Sequence, residues 1–235
     1  GKPCVHKVWD DNTAILSGDS MLVLAYQRVA QCSPSLLPQV IELFTQTALE
    51  IGEGQQFDLD FESRTDVTES EYIEMIRLKT SVLLACSLKL GALLAGASAS
   101  DADALYQFGE KIGLAFQLQD DYLDVYGDYR TFGKKIGGDI LCNKKTFMLI
   151  NALQKATPAQ RAELMQWLQE GNSRPEEKIK EVTRLYTEIG VDSMAIERIN
   201  AYYQEAEQSL ARVSVSADRK QTLWQYAQSM LGRKA

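Results

Sequence analysis

Residues Gly113–Tyr126 read GLAFQLQDDYLDVY, and this stretch decides the fold class. Leu114, Phe116, Leu118, Tyr122 and Leu123 spread over its faces without the strict alternation of a strand, so it reads as a helix. At about 100° per residue, Asp120, Asp124 and Asp121 fall at about 0°, 40° and 100°, and Gln117 at about 60° one turn earlier. Gly113 and Gly109 continue that stripe with no side chain. A mostly apolar helix therefore carries three carboxylates on one arc, with an open lane behind them. Carboxylates this close repel one another unless a cation sits between them, and hard oxygen donors suit Mg2+. The competing reading, an acidic face turned to solvent, is the commoner one for an isolated DDxxD.

The segment after the acids tells against that competitor. Phe132–Thr146, FGKKIGGDILCNKKT, supplies Lys134, Lys135, Lys144 and Lys145 in and after a glycine loop. Cations beside a metal-binding acid cluster make a diphosphate site, in which Mg2+ bridges acids to phosphate oxygens and lysines neutralise the rest. The GxxxxGK[ST] spacing of a nucleotide P-loop is missing.

Outward from this segment the signals are helical. Asn12–Gln31 is apolar on a broad face and stops at Ser33-Pro34. A second pattern runs from Ser35 to about Glu62, with Gly52-Glu53-Gly54 expected to weaken or kink it. Thr68 and Glu71 form a capping box for a helix continuing towards Gly96, and Asp101 is placed to cap Ala102–Tyr126. Beyond the glycine loop, a helix is expected over about Lys144–Lys155. Further helices start at Thr157-Pro158 and at Arg174-Pro175. The tail, Asp192–Leu231, is helical with a break near Val213–Ala217, and its aromatic residues, Tyr226 among them, read as core. No run has the alternation and hairpin turns of a sheet. The result is one all-α domain over residues 1–235.

Composition narrows the function. The chain has 235 residues, 45% hydrophobic and 24% charged, with a net charge of −7; this is globular, and the wrong sign for a phosphate-backbone binder, so no nucleic-acid partner is expected. His6 is the only histidine, which excludes a multi-histidine zinc site. Cys4, Cys32, Cys86 and Cys142 form no CxxC pair and read as free thiols of a reducing, cytoplasmic compartment. The N-terminal residues have no apolar core of a signal peptide. Ser81–Ser100 carries Lys89 at its middle, against a transmembrane segment.

Taken together, the motifs resemble the trans-isoprenyl diphosphate synthases, the farnesyl and geranylgeranyl diphosphate synthase type. FQLQDDYLDVYGD is similar to that family's second aspartate-rich motif, and GKKIGGDILCNKKT to its phosphate-binding loop. GKPCVH with Ala14–Asp19 (AILSGD) is similar to the segment after the family's first aspartate-rich motif. Gly54–Asp58 (GQQFD) and Lys79-Thr80 match two further elements, so the resemblance spans the chain. The first aspartate-rich motif itself, with its arginine pair, has no counterpart, and Asp10-Asp11 lies on the wrong side of GKPCVH to replace it.

The resemblance implies an isoprenoid synthase-type bundle of long antiparallel helices around a central cavity, with the N-terminal helices missing. It implies a Mg2+-assisted prenyltransferase that condenses isopentenyl diphosphate with an allylic prenyl diphosphate, and a homodimer paired through the first two long helices. Asp120, Asp121 and Asp124 would hold the metal. Lys79, with Lys134 or Lys135 and Lys144, would neutralise the diphosphate. Thr80 and Gln117 would face the allylic cation, Gln55 the cavity, and Asp58 the metal region. Gly109, Gly113, Ala92 and Ala95 would leave room for the prenyl tail. Simpler readings stand beside these: Lys79 as a snorkelling surface lysine, and Gln55 with Asp58 as a hydrogen-bonded pair on one helix face. Farnesyl diphosphate is the expected product, with geranylgeranyl or longer chains as the alternative; a terpene cyclase and a silent subunit are the other classes. Residues 1–235 alone are expected to be inactive.

Overall fold

The computed structural model describes residues 2–128 and 136–231. Twelve α-helices occur among them, with no strand. A short α1 (Val5–Val8) leads into α2 (Asp11–Val29), which Asp10 caps by accepting from the Thr13 amide. Then come α3 (Leu37–Ser63), α4 (Glu69–Ile76), a π-helical turn (Arg77–Ser81) and α5 (Val82–Leu94). The longest helix, α6 (Ala99–Tyr126), carries the acids. After the glycine loop come α7 (Gly138–Leu141), α8 (Phe147–Lys155), α9 (Pro158–Gln169), α10 (Pro175–Ile189), α11 (Val191–Ala211) and α12 (Ala217–Leu231).

The architecture is organised around α6, which packs on α5 along one side and on α11 along another. A large core joins α4, the second half of α6 and α8 to α11 through Tyr72, Met75, Leu118, Met148, Leu164 and Leu185. A smaller one seats Phe108 and Ile112 of α6 against Ala206 and Leu210 of α11 and Ala227 of α12. The second half of α6 is thus held from several sides, which keeps the acidic turns rigid. By contrast α2 buries no residue, and Leu16, Met21 and Val23 are each more than 60% exposed.

Several local expectations change. Gly52 and Gly54 do not interrupt α3, which runs through both. Gly54 is there for tertiary reasons: a Cβ would stand 2.4 Å from the Lys79 backbone nitrogen. Asp101 does not cap α6. Ser98 does, accepting from the Asp101 amide at 3.1 Å, and Asp101 instead accepts from the backbone and hydroxyl of Ser214 in the α11–α12 connection. A serine three residues earlier satisfies the first turn, leaving the aspartate side chain for a contact 113 residues away. The Gly109–Gly113 stripe is no open lane. Cβ atoms there would lie 2.8 Å from Ala85 Cα and 2.6 Å from Ser81 Cα, so the glycines let α5 and the π turn lie close on α6. Ala92 is likewise buried, while Ala95 is exposed. Tyr226 is 65% exposed rather than core. The capping box at Thr68, the proline starts at Pro158 and Pro175 and the break before α12 form where the sequence puts them.

Candidate active site

Three elements bring their ends together: the C-terminal part of α3, the π-helical turn and the last turns of α6. Gly54 lets the π turn lie directly on α3, and that contact places the Lys79 ammonium on the Asp58 carboxylate as a half-buried ion pair. The snorkelling reading of Lys79 therefore fails, and Asp58 engages Lys79 rather than Gln55, which stays exposed. On the neighbouring residue, the Thr80 hydroxyl donates to Gln117 Oε1 at 3.2 Å, and the Gln117 amide donates to Asp121 Oδ1 at 3.4 Å. A polar chain thus runs from the π turn into the acid cluster. Extra residues in a π turn rotate the side chains beyond it, and such turns gather at functional sites.

The three carboxylates do not share one environment. Asp121 is 3% exposed and accepts from the Tyr72 hydroxyl; burial holds that phenol far above its ordinary pKa, so it stays a donor. Burial also pushes the Asp121 carboxyl up to about 7, Tyr72 pulling it down and the Asp139 charge adding to the rise. Asp124, 9% exposed, accepts from the Asp139 amide at 2.9 Å, while its own carbonyl accepts from Gly137 at 2.6 Å. Burial raises its pKa and backbone N–H groups of Asp139 and Gly138 partly offset this. Asp120 is half-buried. Burial therefore sets Asp121 apart by its raised pKa, while the loop amides hold Asp124.

Among the described residues no three acid, histidine or cysteine side chains converge as a metal cage. Mg2+ in phosphate chemistry takes one or two carboxylates and fills the rest of its octahedron with phosphate and water. Asp120, with the charges of Asp124 and Asp139 behind it, fits that demand as a hard-oxygen donor. The opposing charge comes from Lys144. Burial lowers its pKa, but the charges of Asp139, Asp58, Asp121 and Asp120 together raise it, so the ammonium sits in the field of these four carboxylates. Lys145 does something else, donating to the Glu62 carbonyl at 2.9 Å and anchoring the loop to α3. Lys134 and Lys135 lie outside the described residues. Tyr72 belongs to the site without a sequence signal of its own: it looks like any apolar helix residue, and its partner is 49 positions away.

A groove of about 970 Å³ lies at the other end of these helices, between the start of α3, the end of α5 and the start of α6, and contains no acid-cluster residue. Lys89, which lines it, is paired with Asp103.

Residues 1–186 match the polyprenyl synthetase family. The chain belongs to it. A short chain isoprenyl diphosphate synthase of Methanothermobacter thermautotrophicus is 35% identical, over 100% of this chain and 71% of that protein. A geranylgeranyl diphosphate synthase of Methanosarcina mazei is 36% identical, over 100% and 70%. A crystal structure of a geranylgeranyl pyrophosphate synthase superposes with a TM-score of 0.92 at 39% identity, over 100% of this chain and 72% of that one. The all-α polyprenyl synthetase fold is thereby established, with α6 carrying the aspartate-rich segment. No described helix of this family member is long and apolar enough to cross a membrane.

One consequence is measurable without substrate. A carboxyl with a folded pKa near 7 and an ordinary value of 3.8 penalises the metal-free fold as pH rises from about 4, with the full penalty, of order 4 kcal/mol, above about 7. Asp121→Asn should therefore melt higher than the wild type at about pH 8 without Mg2+, the gap closing by about pH 4. Thermal melts across that range check it, and a pH-independent gap would contradict burial as the cause.

Proposed function

We propose that the protein condenses isopentenyl diphosphate with an allylic prenyl diphosphate. The observation that carries this is the convergence of Asp120, the Asp58–Lys79 pair and Lys144 at one end of α3, the π turn and α6. In the reaction the allylic C–O bond breaks with both electrons leaving on the diphosphate. The isopentenyl double bond then forms a C–C bond to the cation, and a proton leaves to restore a double bond. Mg2+, when bound, supplies charge compensation for the leaving group.

The chain's own residues divide the remaining work. Asp120 would hold the metal, with Asp121 and Asp124 behind it, held by Tyr72 and by the loop amides. Lys144, with Lys134 or Lys135, neutralises the diphosphate. Lys79 does so when the incoming group draws it from Asp58. Thr80 and Gln117 turn fixed dipoles towards the developing cation, where preorganised groups are worth most. The prenyl tail runs along α5 instead of the glycine stripe of α6. Leu83, Ser87, Gly91 and Leu94 form one exposed stripe of α5 beyond Thr80, apolar or small throughout.

Relatives named for geranylgeranyl and geranylfarnesyl products favour a product longer than farnesyl diphosphate, and geranylgeranyl diphosphate is the one we propose. The exposed apolar face of α2 is a homodimer contact on this reading, since large single-helix apolar surfaces are rarely left to water. A second acid cluster opposite Asp120 is needed for turnover, and none is formed among the described residues.

One experiment addresses these points. Full-length protein, sized by light scattering, is incubated with Mg2+, labelled isopentenyl diphosphate and geranyl or farnesyl diphosphate. A particle of twice the chain mass releasing a C20 prenyl diphosphate is expected. A hydrocarbon product would indicate cyclase chemistry, a monomer would remove the dimer, and repeated turnover by residues 1–235 alone would remove the need for a second acid cluster.

A further inference from the structure

Two polar residues that take no part in the chemistry above meet beneath the loop that carries Lys144. Lys178 of α10 is 1% exposed, and its ammonium donates to Asn143 Oδ1 at 2.7 Å. The Asn143 amide donates in turn to the Leu168 carbonyl of α9 at 2.9 Å. One carboxamide is thus gripped at both ends, by α10 and α9. Asn143 also has a φ of +51°, alone among the described non-glycine residues in being positive. It comes after α7 and immediately precedes Lys144.

Burying an ammonium against a neutral amide is a costly arrangement, and an aliphatic side chain would fill the same space more easily. What the arrangement achieves is a fixed exit from α7. The Lys144 amide donates to the Asp139 carbonyl at 3.0 Å and the Thr146 amide to the Lys144 carbonyl at 2.9 Å, so the backbone around Lys144 is set by the turn that Asn143 makes. The charges felt by the Lys144 ammonium come from three segments: the loop itself (Asp139), α3 (Asp58) and α6 (Asp121 and Asp120). Its standing among them depends on where the turn releases it.

We propose that Lys178 and Asn143 form a strut that positions the Lys144 ammonium over the acid cluster and thereby sets the affinity for a Mg2+-bound diphosphate. Both are positioning residues and act through Lys144. The inference rests on Lys144 being a diphosphate ligand, and the test separates the two.

Inorganic pyrophosphate is titrated into the intact protein in the presence of Mg2+, by calorimetry, with melting temperatures recorded alongside. Asn143→Gly keeps a residue at ease with positive φ and removes only the side-chain ties; Lys178→Met removes the ammonium and keeps the stem. Each should weaken pyrophosphate binding about tenfold, the usual size of an outer-shell effect. Lys144→Ala should weaken it about ten- to hundredfold. Adding Asn143→Gly to Lys144→Ala should change the affinity no further, because residues acting through one group are not additive. Wild-type affinity in Asn143→Gly overturns the strut, whatever its melting temperature, and answers the question even where Lys178→Met fails to fold. A further tenfold loss in the Lys144→Ala background also overturns it. Unchanged binding in Lys144→Ala itself, or no binding by the wild type, removes the ligand reading and the strut with it.

Discussion

Asp120→Ala in the full-length protein should lower turnover by about a thousandfold, the scale seen when one group stabilising a developing charge is removed. The departing diphosphate needs its charge compensated as the C–O bond opens, and Asp120 is the half-buried carboxylate of the three, the other two being buried and held by Tyr72 and by the Asp139 amide. The fold should not suffer. The Asp120 charge raises the pKa of Asp124, an unfavourable interaction that alanine removes, so the melting temperature without Mg2+ should hold or rise. Steady-state kinetics with a paired thermal melt check both halves. Near wild-type turnover would dismiss Asp120 as the metal's ligand, while a loss of turnover matched by unfolding would leave its charge without a special part.

The second large effect concerns a residue with no chemistry of its own. At Gly54 a Cβ would meet the Lys79 backbone nitrogen at 2.4 Å and the Leu78 carbonyl carbon and Cβ at 2.8 Å each. Backbone cannot yield as a side-chain tip can, so in Gly54→Ala the helix α3 and the π turn must part. Overpacking of this kind costs about 1–3 kcal/mol. Activity should fall further than stability, by about a hundredfold, because displacements near one ångström at a reacting site have that effect. The Asp58–Lys79 pair spans the contact, and Thr80, bonded to Gln117, rides on the turn that moves. Gly52→Ala is the internal control. Its Cβ would meet nothing within 4 Å, so it should be neutral or slightly stabilising in a helix. Equal behaviour of the two variants in melts and kinetics would refute the close-approach account.

Gly54 also shows how differently sequence and structure speak. In the sequence it looks like a helix breaker, since glycine lowers helix stability by about 1 kcal/mol relative to alanine. In the fold the helix continues, because packing against the π turn outweighs a local propensity of that size. Gly109 and Gly113 mislead in the same direction: a stripe without side chains looks like free space until another helix occupies it. Asp101 has a preferred capping residue type, but Ser98 stands three positions closer to the true helix start.

The sequence by itself determined the all-α class, the helix starts at Thr68, Thr157 and Pro175, and the acid-then-lysine order around Asp120 and Lys144. These are short-range signals: periodicity, caps and proline placement act within a turn or two of chain, and a motif is by nature contiguous. Only the tertiary structure decided which carboxylate faces outward, that Lys79 rests on Asp58, and that Tyr72, Asn143 and Lys178 belong to the site's support. Those outcomes depend on burial and on partners 21 to 49 residues apart. A side chain's protonation and direction depend on what surrounds it, and those surroundings exist only once α3, the π turn, α6 and α10 have packed.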